Sequence, residues 1–216
     1  MSSDANERKL GLADAYAVRT PDDNRALYRD WAATYESDFA DARGYVYHLE
    51  VARLFAAAVP PIDGPVLDVG CGTGIVGVAL RELGVEVIDG IDISPEMLAE
   101  AARKQTYRSL TEADLTRALA IADDTYAGIT SVGTFTHGHL GPEPLRELVR
   151  VARPRGLLAI GINAEHYASE GFEALLSELA GTGAITEPVL HDVRIYEAAD
   201  DEWADDLASV AVFRRR

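Results

Sequence analysis

The stretch 66–74 constrains the fold of this chain more than any other. It reads Val-Leu-Asp-Val-Gly-Cys-Gly-Thr-Gly, an apolar run with one acid that breaks into three alternate glycines. A helical pattern follows over 75–83 and ends at a further glycine. Glycine tolerates positive φ and lets a ligand approach the backbone closely. The pattern therefore predicts a strand, a tight turn and a helix, with a nucleotide-like ligand at the turn.

Two kinds of cofactor fit this turn. The dinucleotide fingerprint G-x-G-x-x-G matches Gly72, Gly74 and Gly77, with Asp92 about 20 residues further on as the ribose acid. The alternative is S-adenosylmethionine, for which the pattern is an acid, here Asp68, followed by three alternate glycines. A pyrophosphate favours nearby cations, yet the turn contains no Lys or Arg and the chain has a formal net charge of −16. The charge favours the cationic S-adenosylmethionine, and NAD stays the alternative.

Five segments in order resemble the class I S-adenosylmethionine-dependent methyltransferases. They are the glycine turn at 66–74, a strand and helix start at 87–98, an acidic loop at 112–115, a strand at 126–133, and a helix and turn at 145–156. More narrowly, Trp-Ala-Ala-Thr-Tyr at 31–35 and Gly-Thr-Phe-Thr-His-Gly-His at 133–139 resemble the Williams–Beuren-region methyltransferase-like proteins. Two departures affect only the subfamily: Tyr-Ala replaces aromatic-Asp at 126–127, and Pro-Arg-Gly replaces Pro-Gly-Gly at 154–156.

Strands and helices alternate after residue 65, which predicts an α/β, Rossmann-like, seven-stranded and mostly parallel sheet with helices on both faces. Strands are expected near 65–70, 85–92, 107–112, 126–132, 156–162, 189–197 and 207–214, and helices near 74–83, 95–105, 143–152 and 169–181. The segment 198–206 is too short for a crossover, so the last two strands are predicted to form an antiparallel hairpin.

The chain is expected to divide into a helical extension at 1–59 and a cofactor-binding domain at 60–216. The first 20 or so residues are polar and are expected to be mobile. The resemblance implies that the rest of the extension folds over the cofactor as a lid, with an aromatic residue reaching the methionyl carboxylate. The positions that match this aromatic residue are Tyr28, Trp31 and Tyr35. Together with Phe39 they are spaced 3, 4 and 4, which predicts one face of a helix, with Phe39 packing in the core.

The resemblance implies S-adenosylmethionine as cofactor, with S-adenosylhomocysteine as product, bound beyond the carboxyl ends of the strands. The turn is expected to face the methionyl half with Gly70, Cys71, Gly72 and Gly74. Asp68 is expected either to contact the amino end of the cofactor or to hold turn amides. The remaining expected contacts are Asp92 with the ribose hydroxyls, Ile93 and Met97 with the adenine ring, Asp114 and Leu115 with the adenine amino edge, and Gly133 at the end of the fourth strand.

The candidate general bases are His137 and His139, in the loop after the fourth strand, because histidine titrates near neutrality. The alternative is that both only shape the pocket. His166 and Tyr167, after the fifth strand, are further candidates of the same kind. Tyr45, Tyr47 and His48 are expected on the substrate side. No metal-ligand spacing is visible, so no metal is expected.

A small-molecule acceptor is expected. Acids outnumber bases 36 to 20, whereas nucleic-acid binding needs clustered cations, so no nucleic-acid partner is expected. No run approaches the ~18 apolar residues of a membrane span, and the single cysteine fits a reducing compartment. We therefore expect a cytoplasmic protein without a membrane partner. The acceptor and the oligomeric state stay open, as does a protein that binds the cofactor without turnover.

Overall fold

The computed structural model describes residues 10–58, 62–136, 140–197 and 203–216. At its centre is a seven-stranded sheet with the order β3-β2-β1-β4-β5-β7-β6. The strands are β1 Val66–Val69, β2 Ile88–Asp92, β3 Ser109–Glu112, β4 Tyr126–Phe135, β5 Ala152–Asn163, β6 Val189–Arg194 and β7 Leu207–Arg214. The first five pair in parallel, and β7 runs antiparallel to both β5 and β6. The predicted Rossmann-like sheet and its C-terminal antiparallel hairpin are confirmed.

The helices cover both faces of this sheet. They are α1 Leu12–Tyr16, α2 Pro21–Trp31, α3 Tyr47–Ala57, α4 Ile75–Glu82, α5 Pro95–Arg103, α6 Pro144–Val151, α7 Ala164–Ser169 and α8 Phe172–Gly181, with a π-helical turn at Glu36–Asp41. Along each strand successive side chains point to opposite faces. In β1, Leu67 and Val69 accordingly join one apolar cluster with α6 and α8, and Val66 joins the other with α3 and α4. None of the helices in the described ranges is long and apolar enough to cross a membrane.

Three element boundaries differ from the sequence prediction. Strand β4 was predicted to end at residue 132 but extends to Phe135. Gly133 takes φ +74° within a register shift, and pairing with β5 resumes at Phe135. Strand β5 begins four residues early, since 153–156 form an irregular stretch between two paired segments rather than a turn before the strand. The helix predicted at 169–181 begins at Phe172, because Gly171 takes φ +82° as its N-cap and separates it from α7.

The N-terminal extension is more ordered than its composition indicated. Residues 12–16, expected to be mobile, form α1, in which Leu12 and Ala15 are buried. Tyr16 anchors this helix because its hydroxyl donates to Asp206 Oδ2 over 3.0 Å and its ring packs edge-on against Trp203. Apolar and aromatic contacts to the C-terminal part of the chain thus hold a short helix that could not persist alone.

The spacing of the aromatic residues at 28, 31, 35 and 39 predicts a single helix. In the structure, these residues do not lie on one continuous α-helix. Helix α2 ends at Trp31, and after a short turn the chain enters the π-helical turn. The rings nevertheless converge, since the centroid of Trp31 lies 5.1 Å from that of Tyr35 and 5.4 Å from that of Phe39.

Candidate functional site

A cleft lies beyond the carboxyl ends of β1, β2 and β4. The strand order of the sheet reverses between β1 and β4, which is where ligands bind in open α/β sheets. It measures about 830 Å³ when its open mouth is included. Its walls come from the glycine turn, the end of β2, the loop after β3, the end of β4 and the first turn of α2. We call this space the strand-end cleft.

The glycine turn lines the cleft at Gly70, whereas Gly72 is connected to it through the hydrogen bond from its amide to Asp92. Gly70 has φ +67° and lines the cleft, and a Cβ added there would lie 2.0 Å from Thr134 Oγ1. Gly72 has φ +51°, and no heavy atom lies within 4 Å of an added Cβ. Gly70 is thus required by packing, whereas Gly72 leaves open space that a ligand can enter. Gly74, with φ +89°, caps the start of α4 and does not line the cleft.

Asp92 is the acid at the end of β2, and backbone amides fix its orientation. Gly72 N donates to Oδ2 over 2.8 Å and Ser94 N donates to Oδ1 over 2.9 Å. Burial raises the pKa of this carboxyl. A carboxylate oxygen has two lone-pair sites, so each still has capacity to accept a ligand hydroxyl. Ile93 also lines the cleft, whereas Met97 does not and is buried on α5.

The loop after β3 contributes Asp114, Leu115 and Thr116 to the cleft. Asp114 Oδ1 accepts from Thr116 N over 2.9 Å and from Thr116 Oγ1 over 2.7 Å, and Oδ2 accepts from Arg25 Nη2 over 3.4 Å. Partial burial acts to raise the pKa of Asp114, but the bonds from Thr116 and the charge of Arg25 lower it overall. The acid is therefore ionised and tied to the N-terminal extension through Arg25.

Asp68 does not reach the strand-end cleft. It is fully buried, accepting from the Tyr107 hydroxyl over 2.6 Å and from Thr130 Oγ1 over 3.5 Å, and it holds none of the turn amides. The Tyr107 hydroxyl in turn accepts from Gly77 N over 3.1 Å. Burial raises the pKa of Asp68 to about 7. Cys71 beside it is also buried and outside the cleft.

A second cavity of about 510 Å³ adjoins the cleft. We call it the aromatic cavity, because its wall is built mainly from the rings of Tyr16, Tyr28, Trp31, Tyr35, Phe39, Tyr45, Tyr47, Phe135 and Tyr196. Tyr28, Tyr35 and Gly133 line both spaces. The three aromatic residues predicted to cover the cofactor are thus brought together, with Trp31 on the aromatic-cavity side only.

The remaining predicted residues divide into three groups. Tyr45 and Tyr47 line the aromatic cavity, while the His48 ring stacks on Tyr45 at 5.6 Å. His166 is buried and its Nε2 bonds the Leu140 carbonyl oxygen over 2.8 Å. His137 and His139 lie outside the described residues. No group of three or more His, Cys, Asp or Glu side chains fit to hold a metal occurs within the described ranges.

Sequence reasoning missed the start of α2 and the residues just before it, which place Val18, Thr20, Pro21 and Asn24 in the cleft wall. A signal was present, because Thr20 accepts from Asp23 N as the cap of a helix that begins with proline. The same cap-then-proline pattern marks α5 in the sequence. What the pattern could not indicate is that this helix end lies over the strands.

A family profile described as a methyltransferase domain matches residues 66–156. Human Methyltransferase-like protein 27 is 31% identical over 162 residues, which are 73% of this chain and 66% of that protein. The other curated relatives match over smaller parts of their length. The chain therefore spans two thirds or less of the curated relatives that it resembles.

Two solved structures are similar at the level of the fold. The [4+2]-cyclase SpnF gives a TM-score of 0.65 at 19% identity, over 92% of this chain and 97% of that one. A TehB-like S-adenosylmethionine-dependent methyltransferase from Corynebacterium glutamicum gives 0.53 at 23% identity, over 91% of this chain and 98% of that one. Together with the matching profile, these findings confirm the resemblance recognised in the sequence.

Proposed function

The chain belongs to the class I S-adenosylmethionine-dependent methyltransferases, and we propose that it transfers a methyl group to a small-molecule acceptor by in-line displacement. The observation that carries the proposal is the junction of two cavities at Tyr28, Tyr35 and Gly133. One space offers backbone and carboxylates to a cofactor, and the other offers an enclosed wall of rings to an acceptor.

The strand-end cleft fits S-adenosylmethionine. Gly72 leaves space at the turn for the methionyl half, and Asp92 retains lone pairs for the ribose hydroxyls. Asp114 and Leu115 lie where the resemblance puts the adenine, with Ile93 beside them. Bound there, the cofactor would supply an electrophilic methyl carbon. Asp68, Cys71 and Met97 would support this site from beneath rather than touch the cofactor.

The residues around the junction would act by positioning and by excluding water. Much of the rate of a displacement comes from holding the two reactants close and aligned. The rings of Tyr28 and Tyr35 cover the junction, and the Arg25–Asp114 contact holds α2, the helix that contains Tyr28, against the cleft. No described base is needed for an acceptor that can lose its proton to water. His137 and His139 stay candidate bases for an acceptor that cannot.

The competing functions make different demands. A dinucleotide oxidoreductase needs a partner for the pyrophosphate, and neither the profile nor the relatives favour that class. A nucleic-acid acceptor needs unpaired cations near the cleft. Arg25 and Arg117 lie beside it but are both paired with Asp114. The cluster of Arg153, Arg155 and Arg214 lies at the opposite end of the strands. A cyclase among the structural neighbours shows that one fold hosts several chemistries.

The test is calorimetric titration with S-adenosylmethionine, S-adenosylhomocysteine and NAD. We expect binding of the first two and a loss of about 100-fold in affinity in Asp92→Ala, since two charge-assisted hydrogen bonds would be removed. Asp63→Ala, an exposed acid at the opposite edge of the sheet, is the matched control and should bind normally. Binding of NAD alone, or equal affinity in the Asp92 variant, would contradict the proposal.

A further inference from the structure

The wall of the aromatic cavity has an unusual composition for so acidic a chain. Its described lining contains no Asp, Glu, Lys, Arg or His. The rings contact one another continuously: Phe39 lies 5.5 Å from Tyr45 and 6.0 Å edge-on from Tyr196, and Tyr45 lies 5.9 Å from Tyr196. A ligand in this space would be surrounded by ring faces and edges, which favour flat apolar bodies in offset or edge-to-face contact.

The tyrosines of this wall are uncharged. Burial raises the pKa of Tyr28, Tyr35, Tyr45 and Tyr47 above the usual value for a phenol. They therefore offer neutral hydroxyls and ring surface. An acceptor that carries a carboxylate or a phosphate would lose its hydration here without any cation in the described lining to compensate it, which disfavours its binding.

A cationic acceptor is disfavoured by the sulfonium that the proposed function requires, because it would place a positive charge at the junction. The described lining of the cavity contains no carboxylate to offset the repulsion between the two charges. A protonated amine would also lack the lone pair that attacks the methyl carbon.

The size of the cavity limits the acceptor further. Leu12 and Ala15 of α1 are buried against it, while Gly133, Phe135 and Asn163 close it from the sheet. Counted with its open mouth, the space of about 510 Å³ is smaller than the 830 Å³ of the strand-end cleft, which favours a compact acceptor. Helix α1 thereby forms part of the acceptor site, although no cofactor contact is expected of it.

We propose that the acceptor is a compact, uncharged aromatic molecule carrying a hydroxyl, thiol or amine nucleophile, bound in the aromatic cavity under α1. The inference rests on the proposed function. In the transfer, a lone pair of the nucleophile forms the bond to the methyl carbon as the carbon–sulfur bond breaks. The bonding electrons stay on sulfur, giving neutral S-adenosylhomocysteine, and the proton of the nucleophile passes to water at the mouth of the cleft.

The experiment measures binding to the protein saturated with S-adenosylhomocysteine. The probes share one ring and differ in charge: 4-methylphenol, 4-hydroxybenzoate and 4-hydroxybenzylammonium. We expect the neutral probe to bind at least 10-fold more tightly than either charged one. Equal binding of all three, preference for a charged probe, or no binding of the neutral one would overturn the inference. None of these results would affect the proposed function if S-adenosylmethionine itself binds.

Variants of α1 test the location. Ala15→Phe fills the cavity and should abolish binding of 4-methylphenol while leaving the affinity for S-adenosylhomocysteine within 2-fold. Ala13→Phe adds the same side chain to the exposed face of the same helix and should change neither. Because Ala15→Phe could unfold α1, Leu12→Ala provides the opposite change. It should admit the larger neutral 2-naphthol at least 5-fold better than the unmodified protein does, and an unchanged selectivity would contradict the assignment.

Discussion

The strand-end cleft and the aromatic cavity share a boundary but are built differently. In the cleft, backbone amides orient the acidic side chains: the amides of Gly72 and Ser94 bond Asp92, and the amide of Thr116 bonds Asp114. In the cavity, side chains from α1, α2, the π-helical turn, α3, β4 and the segment 195–196 supply the wall. A backbone-built site depends on local turns, whereas a side-chain-built site depends on how distant segments pack. Cofactor binding should therefore resist changes in side-chain packing to which acceptor binding is sensitive.

The strongest test of this difference is Phe39→Ala. Phe39 is 5% exposed and its ring contacts those of Trp31, Tyr35, Tyr45 and Tyr196. Truncating a buried aromatic side chain costs ~3–5 kcal/mol of unfolding free energy. We expect a lowered melting temperature and lost binding of a neutral aromatic probe, with S-adenosylmethionine affinity within a few-fold below the transition. Phe39→Leu should retain most of the stability. A parallel loss of cofactor affinity would show that the two sites are not independent.

A second test concerns the carboxyl beneath the glycine turn. Because the folded-state pKa of Asp68 is about 7, above its unfolded value of 3.8, its contribution to stability is complete below pH 4 and is lost as pH rises through 7. Asp68→Asn cannot ionise and lacks this loss. We expect the variant to gain ~2–4 kcal/mol relative to the unmodified protein between pH 4 and pH 8, measured by urea unfolding at several pH values.

The pH series includes its own check. The amide oxygen introduced by Asp68→Asn would still accept from the Tyr107 hydroxyl, so the two proteins should have similar stability near pH 4. A constant difference at all pH values would mean that Asp68 keeps an ordinary pKa. Its role beneath the turn would then be purely structural.

The smallest of the three effects is the loss in two glycine variants. It distinguishes a glycine that is needed for close approach of the cofactor from one that is needed only for its positive φ. Gly72→Ala and Gly84→Ala both place a side chain at positive φ with no atom within 4 Å of the new Cβ. Each should lose ~1 kcal/mol of stability for that conformation. Of the two glycines, only Gly72 bonds a residue of the cleft, through its amide and Asp92 Oδ2, so only its variant should also lose about 10-fold in affinity for S-adenosylmethionine. Equal affinity of the two variants for S-adenosylmethionine would contradict the proposal that the cofactor binds at the glycine turn.

The sequence predicted the strand-end cleft better than the aromatic cavity, because the cleft is built from local turns and the cavity from side chains of distant segments. The glycine turn, Asp92, Ile93, Asp114, Leu115 and Gly133 were identified from patterns a few residues long, and the structure brings them to one edge of the sheet or to the cleft itself. The aromatic spacing at 28–39 was recognised but was assigned to one helix. The ring of Tyr196 and the helix α1 had no local signal at all, because their role depends on contacts more than 100 residues apart in the chain.

Asp68 shows the limit within a single motif. The sequence placed an acid immediately before the glycines, and the charge argument assigned it to the cofactor or to the turn amides. The position of Asp68 within β1 directs its side chain into the core. The hydroxyl that donates a hydrogen bond to it belongs to Tyr107, in a different segment of the chain. A motif fixes which residue types are present, but the direction of a side chain is decided by the layer that packs on it.

The sequence by itself determined the fold class, the position of the glycine turn and the methyltransferase family, because hydrophobic periodicity and turn chemistry act over a few residues. Only the tertiary structure decided that Asp68 faces inward, that α1 is ordered and that rings from six segments enclose a cavity whose described lining carries no charges. Each of these results depends on long-range packing, in which the free energy of burial is shared among residues that no local pattern connects.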